Sequence, residues 1–155
     1  PLVCTAVELS GENCFYSAVA IESSCHMPRQ DLFQRLATLI RPGGWVFIAD
    51  FFFEQPEYEE MSRWHWYAPI GTFGEYLTAA KEVGFQEENI EDISHRTEHF
   101  WAMTAALIQA EANQTKQTAT TARKVETSLQ AHTLVQKGLA SGGMRYALMS
   151  FKKGH

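Results

Sequence analysis

The sequence predicts an α/β fold, a doubly wound sheet whose last strand runs antiparallel to the others. Three observations carry this. Two segments repeat apolar residues at helical spacing, short β-branched and aromatic runs alternate with them, and the final run follows a helix-breaking glycine pair with no crossover helix after it. Strands alternating with helices build parallel sheets, whereas a closing strand reached without a crossover runs the other way.

The elements follow in order. "LVCTAVEL" (Leu2 to Leu9) reads as a strand and "SGEN" as a turn, and "CFYSAVAIES" (Cys14 to Ser23) as a second, more apolar strand. Leu32, Phe33, Leu36, Leu39 and Ile40 recur at helical spacing over about 28–40. Pro28 suits the first turn of that helix and Asp31 its positive end, and Pro42-Gly43-Gly44 is expected to stop it. "WVFIADFFF" (Trp45 to Phe53) has the length and composition of a strand covered on both faces.

The stretch "EQPEYEEMSRWHWYAPIG" has no regular period and reads as a long loop or broken helix, a kind of segment that more often carries function than not. "TFGEYLTAAKEVGF" is a helix with Phe73, Tyr76, Leu77, Ala80 and Val83 on one face and Gly84 as its C-cap. "QEENIEDIS" is an acidic edge strand. From His95 to Leu139 the chain is helical and rich in alanine and threonine, which suits two helices. "MRYALMSFKK" closes the chain as a strand.

Composition narrows the function classes. A chain of 155 residues, 45% hydrophobic, can bury one sizeable core, so one domain over 1–155 is expected. A formal charge of −5 with no basic, aromatic-interleaved patch argues against nucleic acid as a partner. No run is apolar and long enough to span a membrane and the first ten residues lack the pattern of a secretory signal, so the expected location is cytoplasmic. Cys4, Cys14 and Cys25 are odd in number and show no C-x-x-C spacing, which fits a reducing compartment and buried thiols.

With these elements in place, "AVAIESSCHMPRQDLFQRLATLIRPGGWVFIADFF" resembles the central part of class I S-adenosylmethionine-dependent methyltransferases of the small-molecule type. There a strand ending in an acidic residue leads to a histidine, a helix and L-(K/R)-P-G-G before a strand that ends in Asp. The matching positions are Glu22, His26, Leu39 to Gly44 and Asp50. "TFGEYLTAAKEVGFQEENIEDIS" and "GGMRYALMSFKK" resemble the family's later helix–strand unit and closing strand, so the likeness runs from Ala18 to the C-terminus.

The resemblance implies a partial Rossmann-like sheet, with an inserted helical segment over 95–140 covering the acceptor site. It also implies S-adenosylmethionine as cofactor and a small-molecule acceptor. The family's glycine-rich turn has no counterpart, and the register puts Thr5 and Ala6 where an Asp-Ala pair commonly meets the adenine. The expectation is therefore the C-terminal part of a complete enzyme, working as a homo-oligomer or with a missing N-terminal fragment. The rival is a non-catalytic, methyltransferase-like interaction or oligomerisation module that has lost cofactor binding.

Methyl transfer from a sulfonium is an in-line displacement, so positioning does most of the work and a base serves only a protonated acceptor. His26 is the candidate base, because histidine exchanges protons most readily near neutral pH; the alternative is a helix-start histidine bonded to backbone. Glu22 is read with Thr5 and Ala6 as a cofactor contact, or else as an exposed strand-end acid. Asp50 and Phe52, on the strand where open α/β sheets bind ligands, are candidate acceptor contacts, with a helix-capping or loop-ordering role as the rival for Asp50. Trp64, Trp66 and Tyr67 on the aromatic loop, and Trp101 on the insertion, complete the acceptor set; packing under a long loop is their alternative. His95 and His99 share a helical face but lack a third ligand pattern, so no metal is expected. Phe100, Trp101, Met103 and Leu107 read as the buried stripe of the insertion.

Overall fold

A computed structural model describes residues 6–65, 68–114 and 118–155 of the chain. The elements are Phe15–Ile21 (β1), Arg29–Leu39 (α1), Ile40–Phe53 (β2), Glu57–His65 (α2), Phe73–Glu82 (α3), Phe85–Asp92 (β3), Ser94–Gln114 (α4), Ala119–Ser141 (α5) and Met144–Lys153 (β4). Short 3-10 turns stand at Ala6–Glu8 and Ser24–His26. Among the described residues the sheet has the order β1-β2-β4-β3. β1 pairs with β2 in parallel, and β4 lies antiparallel to both β2 and β3. This is the mixed α/β sheet with an antiparallel closing strand that the element order predicts, and β3 is the expected edge strand.

Two elements differ from expectation. Ala6–Glu8 forms a 3-10 turn against α1 rather than part of a strand. Helix α1 already ends at Leu39, and Pro42-Gly43-Gly44 lies inside β2 instead of terminating the helix. The glycines have a different task there. The β1–β2 register jumps from Phe15↔Ile40 to Ser17↔Trp45, so β2 carries extra residues at this point. Gly43 turns with φ 74°, and a Cβ on Gly44 would come within 2.8 Å of the Tyr16 carbonyl oxygen. The bulge thus needs Gly43 for its backbone angle and Gly44 for its closeness.

The two faces of the sheet build separate cores. On one, Phe33 and Leu36 of α1 and Tyr76 of α3 pack against Val46, Ile48 and Phe52 of β2 and Phe151 of β4. Phe33 is fully buried and meets Tyr76, Phe85 and Phe151 edge to face at 5.3–6.4 Å between ring centroids. On the other face Phe51 and Phe53 pack with Tyr58 of α2, Val135 and Leu139 of α5, and Tyr146 of β4. Helix α3 starts in a capping box in which Thr72 and Glu75 each bond the other's backbone N–H. Helix α5 ends at Gly142 in the left-handed conformation, as a C-cap requires.

The long segment after β2 contains a regular helix, α2. The insertion is two helices, as its length suggests, but its stripe is not core: Phe100 is 54% exposed, Met103 57% and Leu107 62%. Trp101 alone of those four turns inward, because α4 packs on α5 and β4 with the face that carries Trp101, Thr104, Ala105 and Ile108 half-buried. Cys14 is exposed while Cys25 is buried, so the expectation of buried thiols holds for only one of the two described.

Phe33→Ala should lower the unfolding free energy by about 3–5 kcal/mol, the range for removing a buried ring, whereas Leu107→Gln should cost under about 1 kcal/mol, as at an exposed helix position. Urea titration of both variants reads this, and equal losses would mean that the α4 stripe is covered in solution.

Candidate functional site

The turn that leaves β1 decides the geometry of the site. Because β1 and β2 are parallel, with Ile21 opposite Ala49, the residues after Ile21 lie beside the last residues of β2. The carboxyl ends of adjacent parallel strands are where open α/β sheets form ligand crevices. Glu22 takes φ +46°, an uncommon angle for a residue with a side chain, while its N–H donates to the Ala49 carbonyl at 2.8 Å. The strained residue sits where the chain reverses, and its carboxylate accepts a hydrogen bond from the Tyr146 hydroxyl of β4 at 3.1 Å.

Asp50 holds two residues of the turn, Ser24 and Cys25. It has no solvent exposure, and its Oδ2 accepts from Ser24 Oγ at 2.6 Å and from the Cys25 N–H at 3.0 Å. Its Oδ1 accepts from the Phe51 N–H at 2.9 Å. Ser24 has one proton, given to Asp50, so the Tyr76 hydroxyl 3.2 Å away donates to Ser24 Oγ. The result is a buried relay, Tyr76 to Ser24 to Asp50, joining α3 to the turn and to β2. Burial raises the Tyr76 hydroxyl above its ordinary range, which keeps it a donor. Burial first, and then the nearby Asp50 charge, push the Cys25 thiol up to about 12.

Around this turn lies a cavity of 390 Å³ lined by Glu22, Cys25, His26, Asp50, Phe51, Ala68, Ile70 and Trp101. Its floor is buried and mainly apolar. Phe51 packs edge to face on Trp101 at 5.4 Å and on Tyr146 at 4.7 Å, and Trp101 leans on His132 of α5 at 5.2 Å. Ala68 and Ile70 arrive on the segment that leads into a parallel bridge between Thr72 and Phe53, where the Phe53 N–H donates to the Gly71 carbonyl. His26 ends the 3-10 turn and is exposed, with Glu22, at the cavity mouth. A larger groove of 830 Å³ between α4 and α5 is lined by polar and aliphatic side chains and lies away from this turn. Among the described residues no three His, Cys, Asp or Glu side chains gather as metal ligands, and no helix is long and apolar enough to cross a membrane.

Of the residues singled out in sequence, the structure brings Glu22, His26, Asp50 and Trp101 to one cavity. Phe52 is elsewhere: fully buried on the opposite face, it meets Phe73 and Tyr76 edge to face, and its neighbour Phe51 lines the cavity instead. Ala6 is exposed in its 3-10 turn by α1 and does not line the cavity. Thr5, Trp66, Tyr67 and the Trp64 side chain lie outside what is described. Cys25, Phe51, Ile70 and Tyr146 were not signalled in sequence. Tyr146 reaches Glu22 across a register, Phe51↔Tyr146, that exists only once the last strand is inserted beside β2.

No protein-family profile matches the chain, and no curated protein matches it in sequence. Solved structures do match in fold. A protein from Galdieria sulphuraria assigned as a sarcosine dimethylglycine methyltransferase superposes with a TM-score of 0.81 at 18% identity, over 97% of this chain and 58% of its own. Geranyl diphosphate C-methyltransferase from Streptomyces coelicolor A3(2) gives 0.77 at 16%, over 98% of this chain and 52% of its own. Phosphoethanolamine N-methyltransferase 2 from Haemonchus contortus gives 0.77 at 17%, over 99% and 37%. The chain therefore has the fold of part of the small-molecule S-adenosylmethionine-dependent methyltransferases. It spans about half the length, or less, of the chains it matches.

A thiol held protonated behind a buried floor should be inert. At pH 8 iodoacetamide should alkylate Cys14 at least about 100-fold faster than Cys25, since only the thiolate reacts; peptide-resolved mass spectrometry reads the two rates, and equal rates would show that the turn opens freely. Because the folded state keeps the Cys25 proton from the ordinary 9.0 up to about 12, stability should fall as pH rises through that interval.

Proposed function

We propose that this chain supplies the acceptor half of an S-adenosylmethionine-dependent methyltransferase acting on a small molecule. The observation that carries the reading is the cavity at the carboxyl ends of β1 and β2, where Glu22, His26 and Trp101 converge on a methyltransferase fold. The methyl-bearing end of the cofactor fits this cavity, where aromatic rings lie within reach of a sulfonium cation. The nucleoside end has no glycine-rich turn to receive it. When bound, the cofactor supplies a methyl group activated by positive sulfur. His26, at the mouth, takes the proton that a protonated acceptor must lose. Asp50 sets where His26 stands, by holding Ser24 and the Cys25 N–H. The closed floor of Phe51, Ala68 and Ile70 keeps water from the reacting end.

A partner is part of the proposal. Val19 and Ile21 of β1 are 66% and 65% exposed, Phe47 of β2 and Leu148 of β4 continue the same apolar sheet face, and among the described residues β1 ends the sheet. An apolar strand with an open edge invites another strand. A second copy or a fragment bearing the glycine turn would cover it and complete the cofactor site. The same open face favours the rival, a non-catalytic interaction module.

Turnover separates the two. With methyl-labelled S-adenosylmethionine, the active assembly should label a small-molecule fraction, and His26→Ala should cut the rate about 10²–10⁴-fold, the usual worth of a general base, with cofactor affinity nearly unchanged. An unaltered rate at every pH would remove His26 from the mechanism, and no label transfer by any assembly would favour the module. Sedimentation at low micromolar concentration should show the chain as a dimer or joined to a fragment; a compact, cooperatively unfolding monomer would show that it closes its own edge.

A further inference from the structure

The charge of the cavity lining narrows the acceptor. Two carboxylates, Glu22 and Asp50, face it, and among the described residues no lysine or arginine does. Arg29 is close enough to lower the Cys25 thiol's affinity for its proton, yet it gives its guanidinium N–H to the Pro69 carbonyl and lies over the Tyr76 ring at 5.5 Å. An anionic ligand would meet the Glu22 carboxylate in a mostly apolar cleft, which is costly. A neutral ligand would leave that charge unanswered.

The two carboxylates differ in what they can offer. Asp50 is committed to Ser24, Cys25 and Phe51. Glu22 accepts one hydrogen bond, from Tyr146 to Oε1, and its other oxygen takes none from a described residue. The left-handed backbone at Glu22 aims this group at the mouth, and burial, with Glu22 as the second cause, keeps the Tyr146 hydroxyl protonated to hold it there. The Phe51 and Trp101 rings, set nearly edge to face at 70°, line the same cavity. A carboxylate and aromatic rings in one cavity are the groups that receive an organic cation.

We propose that the cavity binds an organic ammonium group, and that the acceptor class is therefore amines, with Glu22 pairing the charge and Trp101 and Phe51 walling the alkyl substituents. The acceptor assignment rests on the methyl-transfer reading; the ammonium site does not. A volume of 390 Å³ admits a small alkylamine rather than a polymer.

The test uses three probes of similar shape and different charge, tetramethylammonium, tert-butanol and pivalate, titrated into the full chain without cofactor and followed through the Trp101 indole N–H by NMR. Tetramethylammonium should bind at least ten-fold more tightly than tert-butanol, and pivalate should not bind. Glu22→Gln should abolish most of that preference, while Glu126→Gln on α5 should leave it intact. Equal binding of the neutral probe, stronger binding of pivalate, no binding of tetramethylammonium, or an unchanged preference in Glu22→Gln would each overturn the site. Competition assigns its source. Displacement of tetramethylammonium by primary to tertiary alkylamines supports the acceptor assignment, and displacement by S-adenosylmethionine alone overturns it. An ammonium site without methyl transfer in any assembly would sink the proposed function and leave this one standing. Methyl transfer only to acceptors that carry no amine would overturn the acceptor assignment and leave the proposed function standing.

Discussion

A carboxylate with no solvent exposure and no salt bridge among the described residues organises this molecule. Asp50 is stabilised by three donors, two of them on the turn that follows β1. Hydrogen bonds to an ionised group are the stronger kind, and removing one partner leaves the rest of the burial cost unpaid. The turn therefore cannot move independently of β2. Everything at the site inherits this: Glu22 and His26 flank the held residues, Cys25 is pressed into the floor, and the Tyr76 hydroxyl extends the network to α3. Asp50 thus bonds the loop while also lining the cavity.

The second constraint is the alternation of β2. Val46, Ile48 and Phe52 go to the α1 and α3 core, while Phe51 and Phe53 go to the side of α2 and α5. The period of two leaves no intermediate choice. That side divides along the sheet. Near the strand ends it is closed by helices and forms the cavity; towards β1 it is open, and Val19, Ile21, Phe47 and Leu148 remain uncovered. The insertion repeats this contrast, with Trp101 turned to the cavity while Phe100, Met103 and Leu107 face outward. Apolar surface thus lies exposed both on the sheet and on α4.

Local chemistry is what the sequence determined by itself. Helix α1 and helix α3 were legible because their apolar residues repeat at 3.6, and the closing strand because Gly142 and Gly143 end the helix before it. Strand-end positions such as Glu22 and Asp50 were legible because parallel strands place their carboxyl ends together. Parity was not: in the run of Phe51, Phe52 and Phe53 every residue is apolar, so no alternation in the sequence reveals which ring faces the cavity. The Pro42-Gly43-Gly44 turn was equally ambiguous, since the same residues that end a helix also make a bulge. Contacts across large separations belonged to the tertiary structure alone. The Glu22–Tyr146 and Asp50–Ser24 bonds, 124 and 26 residues apart in sequence, exist because the sheet inserts its last strand beside β2 and lays the β1 turn along it. A sequence shows which groups are available for such bonds; register, strand order and burial decide which of them meet.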